Sequence, residues 1–292
     1  MRLAILLQCH KNAEQINMLL SALKHECIDI FVHVDRKSPI ANEINRRDGV
    51  YFLPDRKRVS VEWSMFSQVE ATLNMLKYAM ETKEYDYYCL ISGQDYPLVK
   101  SDLIVEFLEK NEGTNFINLR QSLNNNAGRK NDLDKRCDIY YPEWMLEKGF
   151  LRRALKRVWV AVTGGYNTTF KMFMRKNTTQ VDFYFGSQWW CIYKSFAKYT
   201  FDYINEHKQY KTFFVNTNCS DEIFFQTLFM NSPYKDKRQD YLHYIDWSEG
   251  KNSPKTLTTS DFEMIKSSGR FFARKFDISV DRNIIDIIQE RQ

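Results

Sequence analysis

Apolar residues in the first part of the chain alternate between short continuous runs and stretches with helical spacing. The runs at 2–8 and 28–35 are uninterrupted, and their residues favour buried strands. Residues 12–24, between them, carry apolar side chains every three or four positions, which is typical of an amphipathic helix. This β-α-β opening predicts a parallel sheet in a Rossmann-like α/β arrangement.

The same two patterns predict most of the remaining elements. Further strands are expected at 50–54, 85–98 (running into a turn), 114–119, 185–193 and 241–246, and helices at 65–80, 101–110, 195–207, 221–230, 260–268 and 279–291. Ser260 is the expected cap of the helix that begins there. Residues 120–180 follow neither pattern, apart from one basic helix. We interpret the chain as one domain, 1–292, with an irregular basic insert at about 120–180.

Composition favours some classes of protein over others. Aromatic residues make up 15% of the chain, and rings in excess of core needs are often available to stack on sugar faces. The net charge of +5 is mild and no nucleic-acid-binding motif accompanies it, so a nucleic-acid partner is disfavoured. The six cysteines form no CxxC pair, and the one DxD, Asp132 to Asp134, lies in a charged segment that we interpret as a solvated turn.

The positive charge is concentrated in one segment. Residues 148–176 contain eight Lys or Arg and no acidic residue, and within them 149–162 have the pattern of a basic amphipathic helix. Such a helix either lies on an anionic membrane surface or presents a solvated face, and the sequence leaves both open. With no signal peptide and no apolar stretch of 18 residues, a cytoplasmic protein is expected.

The segment CSDEIFFQTLF, 219–229, places two adjacent carboxylates before an apolar run. Ser220 is a good N-cap, and Asp221 and Glu222 would then occupy the first helical turn, where the helix dipole favours negative charge. Taken alone, the segment is a helix start or the location of a catalytic base.

Two other segments carry candidate ligand-binding groups. Asp35 follows a strand, at the position where α/β sheets bind ligands, and it either contacts a nucleotide or forms a turn. Near the other terminus, Arg270, Arg274 and Lys275 flank apolar residues, and they would pair either with a diphosphate or with nearby carboxylates. Lys251 and Lys255 are further cations that could join this site.

Eight segments together resemble the core-2/I-branching N-acetylglucosaminyltransferases and peptide O-xylosyltransferases, glycosyltransferase family 14. They occur in family order between residues 3 and 277, and only about 120–180 matches poorly. The segments are LLQCHKNAEQINMLLSAL, FVHVDRKSP, VEWSMFSQVEATLNML, YYCLISGQDYPL, FGSQWWCIYKSFAKY, CSDEIFFQTLFMNSP, HYIDW and FFARKFD.

This resemblance implies a GT-A fold, with a Rossmann-like mixed sheet flanked by helices. It also implies inverting transfer of a sugar from a UDP-sugar without a metal. It places the general base on Glu222. It places diphosphate binding on Arg274 and Lys275, with Lys255 as a further basic residue, and nucleotide contact on Asp35. Trp247 is expected to line the acceptor site, and Trp189 is a second candidate for sugar contact. No cofactor is expected beyond the donor substrate.

One position departs from the family pattern. Xylosyltransferases carry an aspartate proposed for proton transfer where this chain has Gln188, and an amide cannot act as a base. Glu222 is therefore expected to act alone, on a glycan or lipid-linked glycan at the inner membrane face. Arg136, Tyr140 and Tyr141 are candidates for acceptor contact. Two alternatives stay open: a metal-dependent transferase using Asp95 or the 132–134 pair, and a non-catalytic carbohydrate-binding protein.

Overall fold

The continuous apolar runs form the centre of a seven-stranded sheet. The computed structural model describes residues 1–120, 136–142, 150–251 and 253–292. In it, β1 (Leu3–Cys9) lies between β2 (Ile28–Val34) and β4 (Tyr87–Ser92) and is parallel to both. Short β3 (Val50–Phe52) extends the parallel part beyond β2.

Beyond β4 the sheet becomes mixed. The strand β7 (Trp190–Tyr193) runs antiparallel to β4 and to β6 (Asn115–Ile117), and β8 (Arg238–Gln239) pairs with β6, giving the order β3-β2-β1-β4-β7-β6-β8. Because β7 is reversed, the residues that precede it lie at the same sheet edge as the carboxyl ends of β1, β2 and β4.

Helices cover both faces of this sheet. Alternate side chains of β1 enter different apolar clusters, because successive strand residues point to opposite faces. One cluster includes α1 (Ala13–Ala22), α3 (Ser101–Lys110) and α10 (Asn283–Arg291). The other is built with α2 (Ser67–Thr82), α6 (Lys194–Glu206), α7 (Lys208–Val215) and α8 (Phe224–Met230). The predicted Rossmann-like mixed sheet flanked by helices is confirmed.

A small second sheet brings distant segments together. Its central strand β10 (Phe272–Arg274) pairs antiparallel with β5 (Asp95–Pro97) and parallel with β9 (His243–Ile245). In this register Asp95 lies directly opposite Arg274. The remaining described α-helices are α4 (Phe150–Val162), α5 (Tyr166–Met172) and α9 (Phe262–Ser267). None of the described helices has the length and apolar character needed to cross a bilayer.

The two predicted helix caps, Ser220 and Ser260, are wrong. Ser220 is no cap: residues Ser220–Glu222 form a 3₁₀ turn, and the α-helix begins only at Phe224. Ser260 does not cap the later helix, because Thr258 and Asp261 form a capping box around a 3₁₀ turn at Thr259–Asp261. The Asp132 to Asp134 pair lies outside the described residues. The single-domain organisation with an insert stays a prediction.

Candidate active site

A cleft of about 430 Å³ opens at the edge of the large sheet where β1, β2 and β4 end. The residues that follow these strands, among them His10, Asp35 and Gly93, form one wall. The position agrees with the general rule that α/β sheets bind ligands beyond the carboxyl ends of their strands. Seven residues are expected at the site besides the three acceptor-contact candidates, and six of these seven line it: Asp35, Trp189, Glu222, Trp247, Arg274 and Lys275.

The turn that carries Glu222 is held by backbone contacts from two sides. Cys219 adopts a left-handed conformation, with φ of 52°, and donates its N–H to the Ser64 carbonyl at 2.8 Å. The Gly186 N–H donates to the Glu222 carbonyl at 2.9 Å. The carboxylate of Glu222 is therefore presented from a fixed backbone, although not from an α-helix N-terminus.

Arg136 is the ion-pair partner of Glu222. Its Nη1 lies 2.8 Å from Glu222 Oε2, and about a quarter of each side chain is exposed (26% and 25%). The Arg136 guanidinium also lies 4.8 Å from the centre of the Phe185 ring. Of the three predicted acceptor-site candidates, Arg136 reaches the cleft carboxylate, while Tyr141 is buried and Tyr140 is exposed.

Asp221 differs from its neighbour in environment. Its Oδ1 atom is buried and has no hydrogen-bond partner among the described residues. Burial and then the adjacent Glu222 raise the pKa of the Asp221 carboxyl to about 7. Its side chain lines the cleft, whereas the sequence predicts for Asp221 only a position in the first turn of a helix.

Arg274 is anchored by two groups, and a third contacts one of them. Its guanidinium lies 4.2 Å from the centre of the Trp189 ring, and its Nε lies 3.3 Å from Asp95 Oδ1. His243 Nε2 lies 3.4 Å from the other Asp95 oxygen. Although burial alone would raise it, the pKa of Asp95 is lowered by the Arg274 charge and by hydrogen bonds to the carboxylate. Arg274 thus covers part of one face of the Trp189 ring. That part of the ring is not available for the sugar contact expected of Trp189.

Lys275 lies among other cations. Burial lowers its pKa, and the charges of Lys11 and Arg274 lower it further. Its Nζ has a hydroxyl contact, 3.3 Å from Ser253 Oγ. Lys11, which also lines the cleft, pairs with Asp277 at 2.6 Å. An anion bound here would relieve the mutual repulsion of these cations.

Asp35 contacts the backbone of a neighbouring loop. Its two oxygens accept the N–H groups of Lys37 and Val61, at 2.8 and 3.3 Å. A carboxylate has about four acceptor positions, so Asp35 retains capacity for a ligand. His33, on the same strand, is buried and accepts the Val59 N–H at 2.9 Å; burial lowers the pKa of His33 to about 4, as expected for a packed strand histidine.

Lys255 is the one of these seven residues that the structure places outside the cleft. Its Nζ pairs with Asp261 at 2.6 Å. Lys251 pairs with Glu249 at 2.9 Å, and Arg270 pairs with Asp240 at 2.7 Å. Each of these cations has a nearer carboxylate, which explains its absence from the Arg274 group.

Trp247 presents an open ring at the cleft. It is 41% exposed, and the Arg120 guanidinium lies 5.8 Å from its centre. Arg120, Lys11 and Gln68 line the cleft but were not predicted, because their segments have no motif that marks them. In the described ranges no three His, Cys, Asp or Glu side chains cluster as a metal site would require. Asp95 is fully buried and already paired.

Comparison with known proteins identifies the class. The model of the Core-2/I-Branching enzyme family matches residues 3–267. The matched residues include every strand of the seven-stranded mixed sheet. The chain belongs to the Core-2/I-Branching enzyme family.

Similar proteins include two from the rat, Rattus norvegicus. Xylosyltransferase 2 is 26% identical over 98% of this chain and 33% of its own length, and xylosyltransferase 1 is 26% identical over 97% and 34%. The chain thus spans about a third of the length of these curated relatives. The apo crystal structure of mouse xyloside xylosyltransferase 1 is 10% identical; the match covers 93% of this chain and 97% of that chain, with a TM-score of 0.39.

Proposed function

We propose that this protein transfers a sugar from a UDP-sugar to a hydroxyl of a glycan acceptor, with inversion and without a metal. The main support is a single observation: one cleft holds a carboxylate, Glu222, and a separate group of cations, Arg274 and Lys275. The donor sugar would be N-acetylglucosamine, xylose or a similar pyranose, as in the family and its xylosyltransferase relatives.

In this reaction Glu222 acts on the acceptor, whereas Arg274 and Lys275 act on the leaving group of the donor. The acceptor oxygen attacks the anomeric carbon and forms the new glycosidic bond, while the carbon–oxygen bond to the diphosphate breaks. The bonding electron pair leaves with UDP, and the acceptor proton moves to the Glu222 carboxylate. Arg274 and Lys275 stabilise the charge that develops on the departing diphosphate, which is the task a divalent cation performs in metal-dependent transferases.

Arg136 prepares Glu222 for this role in the proposal. The ion pair uses Oε2 and orients the carboxylate. The other oxygen, Oε1, then accepts the proton. Asp35 contacts the nucleotide, Trp247 stacks on the acceptor, and Lys255 would contribute only if its pairing with Asp261 opened.

The test is the isosteric variant Glu222→Gln. It should abolish transfer and leave UDP binding within about twofold, because the amide keeps the side-chain shape but cannot accept a proton. Asp221→Asn, assayed in parallel, separates the two neighbouring carboxylates. Transfer that survives Glu222→Gln and stops in Asp221→Asn would move the base to Asp221.

The alternatives give different results in the same assay. Loss of transfer in EDTA would support a metal-dependent enzyme. Glycan binding with neither transfer nor donor hydrolysis would support a non-catalytic carbohydrate-binding protein. Transfer by the wild-type protein in EDTA excludes both.

We also propose that the protein acts in the cytoplasm on a lipid-linked glycan, with α4 resting on an anionic membrane. Four apolar side chains of α4 share a face and are exposed: Leu155 by 63%, Val158 by 61%, Trp159 by 41% and Val162 by 79%. Val160 is buried on the opposite side. Basic residues occur in the same helix and in the following segment, which suits an anionic lipid surface.

Vesicle sedimentation tests this placement. Vesicles containing phosphatidylglycerol should retain the protein, whereas vesicles of phosphatidylcholine alone should not. The double variant Val158→Ser, Val162→Ser should lose retention. The matched control is Val280→Ser, at a valine that is 62% exposed on another part of the surface. Equal behaviour of the double variant and the control would refute a membrane role for α4.

A further inference from the structure

Among the described residues, only one of the two polar atoms of the Gln188 side-chain amide has a hydrogen-bond partner. Its Oε1 accepts a hydrogen bond from Gln68 Nε2 at 2.8 Å. Its Nε2 is buried and has no hydrogen-bond partner in the described ranges. Buried donors without a partner are uncommon in native proteins, and one that lines a cleft is explained most simply by a ligand.

A chain of polar contacts holds the amide in place. Gln68 is in the first turn of α2, and Thr72 Oγ1 donates to its backbone carbonyl at 3.0 Å. Gln8 Nε2, at the end of β1, donates to the same carbonyl at 3.2 Å and to Thr72 Oγ1 at 2.7 Å. Gln68 therefore presents its side-chain donor to Gln188 from a fixed position. This leaves the Gln188 Nε2 donor for another group.

The neighbours of Gln188 along the chain contact both ends of the proposed reaction. On one side, Gly186 donates to the backbone of Glu222, the proposed base, at 2.9 Å. On the other side, Trp189 stacks against Arg274, which the proposed function assigns to the diphosphate. Gln188 lies between these contacts. The transferred sugar must occupy the space between base and diphosphate.

We propose that Gln188 Nε2 donates a hydrogen bond to an oxygen of the transferred sugar, which makes Gln188 a specificity-determining residue and Gln68 its positioning residue. This inference rests on the proposed function. The amide group is neutral and the unfilled atom is a donor, so its partner is an acceptor: a ring hydroxyl oxygen or the carbonyl of an N-acetyl group. Gln188 takes no part in proton transfer.

The test compares sugar recognition with nucleotide binding in two variants. Gln188→Met removes the hydrogen bond at similar size and without charge. Gln188→Glu keeps the shape and the bond from Gln68 but cannot donate. Both should lower kcat/KM for the UDP-sugar by about tenfold, the effect of one neutral hydrogen bond. Gln188→Met should leave the Kd of UDP within about twofold.

Donor analogues that each lack one sugar oxygen identify the partner. For wild-type protein, kcat/KM should be about tenfold lower with one analogue than with the complete donor. Gln188→Met should lose this difference for that analogue and keep the differences that wild-type protein shows for the other analogues. Gln68→Met should reduce it partially, because the amide is no longer held. Thermal unfolding of each variant establishes that it is folded.

The outcomes separate this inference from the proposed function. If wild-type protein neither binds nor turns over any UDP-sugar, the proposed function fails. If wild-type protein transfers sugar and Gln188→Met has the same kcat/KM for every donor, the role of Gln188 is refuted. A parallel loss of UDP affinity would also refute it, because Gln188 would then act on the nucleotide.

Discussion

Replacing Asp221 by asparagine should change how the stability of the protein depends on pH. In the folded protein, burial and the adjacent Glu222 raise the pKa of Asp221 from 3.8 to about 7. A carboxyl whose pKa rises on folding contributes stability that is fully present below its unfolded pKa. That stability is lost as pH rises through the folded pKa. Asp221→Asn removes this titration.

The size of the effect follows from the shift. Each unit of pKa difference corresponds to about 1.4 kcal/mol. Between pH 5 and about pH 7, an interval of about two units, the unfolded chain has already lost this proton while the folded carboxyl keeps it. Ionisation of Asp221 should therefore cost the wild-type protein about 2 to 3 kcal/mol of unfolding free energy over this range.

Urea unfolding of both proteins at pH 5 and pH 8 measures this cost. The variant should gain about 2 to 3 kcal/mol relative to wild type on going from pH 5 to pH 8, because other titrating groups contribute equally to both proteins. The matched control is Asp236→Asn, which makes the same substitution at an exposed aspartate outside the cleft. The reasoning is refuted if the Asp221→Asn difference is constant with pH.

Three further outcomes are expected. Gly186→Ala should destabilise the fold by about 3 kcal/mol in urea unfolding, because its Cβ would lie 1.9 Å from the Asn118 carbonyl oxygen. Gly113→Ala, whose Cβ would have nothing within 4 Å, should lower the free energy of unfolding by only about 1 kcal/mol, through its positive φ. Asp95→Asn should weaken UDP binding about tenfold in calorimetry, because Arg274 loses its anchor; an unchanged Kd would contradict this. Removal of divalent cations with EDTA should leave the transfer rate unchanged, and restoration of a lost rate by added Mn²⁺ would show the opposite.

The sequence predicted the main sheet well, because its strands and helices have strong periodic patterns. The helix predicted at 101–110 has those bounds in the structure, and β2 differs from its prediction by one residue. Helix starts were less predictable. Ser220 has a favourable residue type for capping, but the backbone contacts of its turn with Ser64 and Gly186 impose a 3₁₀ conformation instead. Such contacts come from distant segments and leave no local signal.

The candidate site was likewise predicted only in part. The resemblance to the family assigned Asp35, Glu222 and Arg274 to one site, and the structure places them around one cleft. It could not show that Lys255 has a closer partner in Asp261, since that depends on how the capping box folds. The burial of Asp221 and the pairing of Gln68 with Gln188 are likewise properties of packing, which a motif does not record.

The insertion of β10 between β5 and β9 affects the order in which this protein becomes active. Contacts between residues far apart in the chain form late, because a long loop must close first. The side of the cleft that we propose binds the nucleotide comes from residues near Asp35. Arg274, in contrast, takes its position only when β10 pairs with a strand about 180 residues earlier in the chain. During synthesis or refolding, the large sheet should therefore acquire its secondary structure before the cleft can hold a diphosphate. Recovery of UDP binding should lag behind recovery of circular dichroism.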